Sequence, residues 1–343
     1  MEKAVRQFLY ETHQVQLPAD AVTLMPLNGE GKVQHRVEKL YATLMAPERA
    51  AWRAALSEAD CVFVTTHSQG TPVSTMLLAR LLREGIVRTH RQRVCMLAMA
   101  GISHGPFPFL KDNVVVRYVE ADAARELFHF MDAERDVSVR YRNDMHTVLK
   151  QGVKVVCVGS MADQVVPLYS GIMHGFSHPS LLRAIYIDGV DYTGDFLTSL
   201  ISFALRLRNH GIHDHGLIVY LSEAIAGSLY SGTQGHSTIY EELQVYALAV
   251  RWLLDAHPEP LRGGQPVEHP ADPILTPFQA DERLNPYYLP WIMRGLLEDS
   301  RLRKNKALLR DIEQLQRQFE QWEPVSRPMK ELKFRLEPLR ARL

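Results

Sequence analysis

Only three cysteines, Cys61, Cys95 and Cys157, occur in the 343 residues. That is too few for a disulfide framework. Each lies in an apolar, β-branched run, so buried, reduced thiols in a reducing compartment are expected. Charge of one sign is also missing, since 39 Lys and Arg balance 39 Asp and Glu. No global basic field points to nucleic acid, and no nucleic-acid partner is expected. No uncharged apolar run approaches the roughly 20 residues that cross a bilayer. The longest apolar run, residues 196–205, is closed by Arg206 and Arg208 and reads as a buried helix. Residues 1–16 carry charges throughout and have no signal-peptide core. An intracellular, cytoplasmic protein is therefore expected. With 46% hydrophobic and 23% charged residues, the composition is that of a globular chain.

Four short apolar runs read as buried strands: residues 61–65, 93–98, 153–158 and 183–187. Near-continuous apolar runs suit strands covered on both faces, as in a parallel sheet. Helical spacing of Val73, Met76, Leu77 and Leu81 predicts a helix between the first two, and residues 166–176 read as another after Pro167. The cadence of strand, helix and strand makes the core α/β. One further strand is expected at residues 21–27, with helices near 37–44 and 48–56. Residues 102–151 exceed what one crossover helix needs, so they read either as a lid or as a helical excursion. These segments make a domain over residues 1–257. Ten prolines and glycines in residues 258–290 mark 258–298 as a strap or linker. Residues 299–343 form a charged helical tail, in which Leu308, Ile312, Leu315, Phe319 and Trp322 make one apolar stripe. That stripe packs either on its own domain or, through residues 299–322, on a partner helix or a second copy.

The chemistry starts after the first strand, at Thr65-Thr66-His67-Ser68-Gln69-Gly70. A serine between strand and helix, with glycine two positions on, fits a nucleophile elbow. A tight turn there lifts the Ser68 hydroxyl above the sheet, aims the Gln69 N–H at a developing oxyanion, and needs Gly70 where helix meets strand. Thr66 and His67 complete the turn, and Thr66 replaces the usual first glycine. A serine needs a histidine to take its proton and an acid to orient that histidine. Asp163 follows the third strand, where sheet enzymes place functional groups; it also suits a helix N-cap. His236, in a Gly-rich loop before a helical run, is the first choice for the base. His210, His213 and His215, with Asp214 alone beside them, make a poor metal set and a second choice of base. His174 and His178 remain further options. No metal or other cofactor is expected.

Thr-His-Ser-Gln-Gly after one strand, Ala-Gly-Ile-Ser-His-Gly-Pro after the next, Gly-Ser-Met-Ala-Asp-Gln-Val-Val-Pro and Gly-His-Ser together resemble an α/β hydrolase, most of all a fungal branch of that superfamily, over residues 20–256. The resemblance implies a mostly parallel sheet with helices on both faces, a Ser68 nucleophile, an Asp163 acid, a His236 base, and small-molecule or lipid acyl esters or thioesters as substrates. It also implies several strands ahead of the elbow and a His-Gly loop that supplies a second oxyanion N–H. Only residues 21–27 read as a strand ahead of the elbow strand, and no His-Gly pair precedes Ser68. The chain therefore reads as an N-terminally shortened hydrolase, or as one in which a partner or another segment fills the gap. Two functions follow: a serine hydrolase with an impoverished oxyanion hole, or a hydrolase-like scaffold that serves as a protein-interaction module.

Overall fold

A computed structural model describes residues 1–112, 122–161, 163–187, 195–226, 235–255, 271–281 and 284–340. Four strands, β1 (Cys61–His67), β2 (Arg93–Met99), β3 (Lys154–Ser160) and β5 (Leu181–Tyr186), form one parallel sheet in the order β1-β2-β3-β5. β4 (Phe176–Ser177) pairs antiparallel with β6 (Ile274–Leu275) in a separate ribbon. The pleat sends alternate residues to opposite faces. Val94, Met96 and Ala98 meet one hydrophobic cluster, while Cys95, Leu97 and Met99 meet another. Both faces are thus buried, which is why the strands read as unbroken apolar runs.

The first face is covered by α2 (Val33–Met45), α4 (Gly70–Arg83) and α5 (Asp136–Lys150), through Val37, Met76, Leu81, Met145 and Val148. The other is covered by α8 (Leu243–Leu254), with Ala249 and Leu253, backed by α1 (Glu2–His13) through Phe8 and Val250. From the segment 102–151, α5 is therefore a core helix packed beside α4; residues 113–121 lie outside the described residues.

Helices α6 (Phe196–Asn209) and α7 (Leu217–Ala226) build a third cluster with α9 (Leu289–Glu298), α10 (Lys306–Gln321) and α11 (Arg327–Arg335). The stripe Leu308, Ile312, Leu315 and Phe319 is fully buried there. The Phe196 ring lies tilted 5.2 Å from Phe319 and 5.0 Å from Trp322, and Arg206 pairs with Asp311 at 2.6 Å. Of the two outlets expected for this stripe, the structure shows packing within the chain. Of the Pro-rich strap, residues 258–270 and 282–283 lie outside the described residues. Residues 271–281 are tied down by β6, by Thr276 N–H to Gly175 O (3.1 Å) and by Ala280 N–H to Met131 O (2.9 Å).

Three local expectations differ from the structure. Residues 22–30 form no strand; Pro26 removes a donor, and no neighbouring strand pairs with them among the described residues. Residues 166–176 hold one helical turn, Leu168–Gly171, before Met173 (φ 55°) and Gly175 (φ 84°) turn the chain. Cys61 is exposed at the start of an edge strand, whereas Cys95 and Cys157 are buried.

β1 is that edge. Asp60 C=O accepts from Arg93 N–H (2.8 Å) and Ser68 N–H donates to Met99 O (2.9 Å), so even-numbered residues face β2. By alternation, the N–H and C=O groups of Cys61, Phe63, Thr65 and His67 face away from β2, and no strand pairs there among the described residues.

Candidate active site

At the carboxyl end of β1 the chain turns sharply into α4. Ser68 sits at φ 53°, a left-handed conformation that costs a non-glycine residue about 1–3 kcal/mol. Its C=O accepts from Thr71 N–H (3.1 Å) and Ile102 N–H (3.2 Å), which hold the turn between helix and the next loop. A Cβ at Gly70 would lie 2.7 Å from Thr66 Oγ1, so the threonine in the usual glycine position is accommodated because residue 70 has no side chain. Gln69 is the N-cap residue of α4, at the helix end where backbone N–H groups and the helix dipole favour negative charge.

The next loop is shaped for close approach. Ala100 has φ 45°, and a Cβ on Gly101 would lie 2.6 Å from Thr71 Oγ1. Ser170 Oγ accepts from the N–H groups of both Ser103 (3.0 Å) and His104 (2.9 Å). These clamps account for Ala-Gly-Ile-Ser-His-Gly, and their partners lie too far along the chain to be read from it.

Asp163 follows β3 and is only 3% exposed. Its two oxygens have separate tasks. Oδ1 accepts from the N–H groups of Val165 and Val166, both at 2.8 Å, while Oδ2 lies 2.8 Å from His236 Nδ1. One carboxylate thus both caps the following turn and hydrogen-bonds the His236 ring, where the sequence offered these as alternatives. His236 opens the short helix Gly235–Thr238, and its Nε2 lies 3.1 Å from Ser68 Oγ. With Nδ1–H donated to Asp163, Nε2 is left to accept the serine O–H. Residues 231–234 of the Gly-rich loop lie outside the described residues.

The other histidines lie elsewhere. His213 Nδ1 accepts from His215 N–H (2.8 Å), and His215 approaches Asp299 (3.5 Å). His210 Nδ1 lies 2.8 Å from Arg206 O. His178 Nε2–H donates to Ala271 O (2.9 Å), and burial pushes His174 down to about 4. A contact not foreseen in the sequence is that of His67, whose Nε2 lies 2.7 Å from His236 O, with ring centroids 4.6 Å apart. Burial first, and His236 next, hold the His67 imidazole below its ordinary pKa.

Behind Asp163 a cavity of about 10 Å³ is lined by Phe107, Ser160, Met161, Asp163, Val166, Leu168 and Ser222. That is room for about one water and not for an acyl chain. No helix among the described residues is long and apolar enough to cross a membrane.

The parallel sheet, the helices on both faces and a strained serine turn at a strand end define an α/β-hydrolase scaffold. A family model of the YMC0/YMC35 alpha/beta hydrolase domain matches residues 1–300, and the chain belongs to that family. No curated protein and no solved structure matches it.

Proposed function

We propose that this chain is a serine hydrolase acting on an ester, thioester or lipid acyl bond. The observation that carries the reading is the continuous run Asp163 Oδ2–His236–Ser68 Oγ, at 2.8 and 3.1 Å, ending on a serine at φ 53°. His236 Nε2 takes the Ser68 proton as Oγ attacks the acyl carbon, and Asp163 holds the imidazole tautomer and offsets the charge that forms. His236 then returns the proton to the leaving group, and water releases the acyl chain by the same route. Gln69 N–H supplies one oxyanion donor at the head of α4. Phe107, stacked 5.2 Å from Phe109 and hydrogen-bonded through its N–H to Val165 O, supports residues 102–112, from the expected segment 102–151, as a wall of the acyl pocket. The free cysteines Cys61, Cys95 and Cys157, two of them buried, support a reducing compartment and hence the cytoplasm.

A second reading, a hydrolase-like scaffold that binds another protein, is favoured by the open side of β1, where backbone groups stand ready to pair. Loss of one oxyanion donor costs about 2.7–4 kcal/mol of transition-state stabilisation, or about 10²–10³ in rate. Fluorophosphonate labelling read by intact mass separates the two. The hydrolase reading expects one adduct on the unaltered chain and none on Ser68→Ala or His236→Ala. Undiminished labelling of Ser68→Ala would sink it.

A further inference from the structure

We infer that His67 is a positioning residue: its ring N–H clamps the main chain of His236 and so aims the His236 imidazole at Ser68. The inference rests on the Ser68–His236–Asp163 reading and adds to it a residue acting one step removed from the reacting atoms.

The bond is directional. A carbonyl oxygen only accepts, so at 2.7 Å from His236 O the His67 Nε2 carries the proton of this bond. His67 closes β1, immediately before the nucleophile, and its ring also meets Tyr240 edge-on at 5.0 Å. His236 is therefore held at two points. Asp163 fixes its ring through Nδ1, but a single hydrogen bond leaves the ring free to swing Nε2 about it. The clamp on the His236 carbonyl removes that freedom by tying the backbone of the residue to the strand that carries Ser68. The rings lie 4.6 Å apart with planes at 49°. A neutral His67 can adjoin the imidazolium that forms on His236 without like-charge repulsion. A displacement of about 1 Å at such a centre can cost about 10² in rate.

The test uses the full chain with His67→Leu, which removes the donor, and His67→Gln, whose side-chain N–H reaches close to the position of Nε2. The measured quantities are the first-order rate of phosphonylation at saturating probe, the half-saturating probe concentration, and the melting temperature. His67→Leu is expected to slow phosphonylation by about 10- to 100-fold at an unchanged half-saturating concentration. His67→Gln is expected to restore most of that loss. A His67→Leu rate equal to that of the unaltered chain would overturn the inference. So would a His67→Gln variant as slow as His67→Leu while both melt with the unaltered chain. Nitrogen-15 NMR of the unaltered chain needs no folded variant. His67 is expected as the neutral Nε2–H tautomer at about pH 7 to 8, and an Nδ1–H tautomer would overturn the clamp. An unaltered chain that fails to label, or a Ser68→Ala variant that labels, overturns the Ser68 reading instead; the NMR still decides the hydrogen bond.

Discussion

Thr66 Oγ1 occupies the space that a side chain on residue 70 would need, 2.7 Å from where a Cβ on Gly70 would stand. Thr66 and Gly70 thus divide between them the room at the base of the turn, with the side chain on residue 66 and none on residue 70.

Gly70→Ala is accordingly expected to destabilise the chain by about 1–3 kcal/mol, the usual cost of overpacking a tight site. In a Thr66→Gly background the same change meets open space and is expected to be better tolerated. Thermal unfolding of the two single variants and the double variant measures the coupling, which for contacting residues runs to about 0.5–3 kcal/mol. Strict additivity would contradict the shared-space account.

The divided carboxylate of Asp163 makes Asn and Ala substitutions behave differently. Asp163→Asn retains an oxygen for Val165 and Val166 N–H but presents the wrong group or charge to His236 Nδ1. Phosphonylation is expected to fall about 10³–10⁴-fold with little change in melting temperature. Asp163→Ala also removes the cap, and an added stability loss of about 0.5–2 kcal/mol is expected. Equal melting temperatures for the two variants would show that the Oδ1 bonds contribute nothing.

Two buried histidines predict how stability responds to acid. Burial pushes His104 down to about 3 and His174 down to about 4, against an ordinary value of 6.5. Between those values and 6.5 the unfolded chain binds protons that the folded chain refuses, so stability falls as pH is lowered through this window. Each such proton contributes a slope of about 1.4 kcal/mol per pH unit. Urea midpoints from pH 7 down to pH 4.5 test the sign. His104→Gln keeps a donor for His174 O, which His104 Nε2 contacts at 2.5 Å, and removes one titrating ring; it is expected to flatten the slope.

The C-terminal helices offer a comparison of one residue type at two depths. Phe319 is fully buried against Phe196, whereas Phe334 is 78% exposed. Phe319→Ala is expected to cost about 3–5 kcal/mol, and Phe334→Ala to change stability by less than about 0.5 kcal/mol. Denaturant melts check both. Equal effects would mean that α10 does not share the core.

The four sheet strands were legible because burial on both faces leaves an unbroken apolar run, and Ser68 because Gly70 and the following helix bracket it. Asp163 and His236 were legible as positions, one at a strand end and one ahead of a helix. What periodicity records is that a face is buried, not what buries it. The stripe of Leu308, Ile312, Leu315 and Phe319 therefore left open which surface it meets, and Phe196 supplies the answer. Residues 21–27 have strand-like composition but no adjacent strand among the described residues, and composition alone cannot supply one. The link from His67 to His236 spans 169 positions and exists only once the sheet is assembled.

Met161, Leu168 and Tyr169, which flank Asp163, belong to the same hydrophobic cluster as Leu308, Phe319 and Leu336. The cluster that backs the loop carrying the carboxylate therefore runs on into side chains beyond residue 300, where the family match ends. A large-to-small change in that outer stretch thus loosens the same core that backs the loop. Bounded by its packing, the structural unit is longer than the stretch by which the family is recognised.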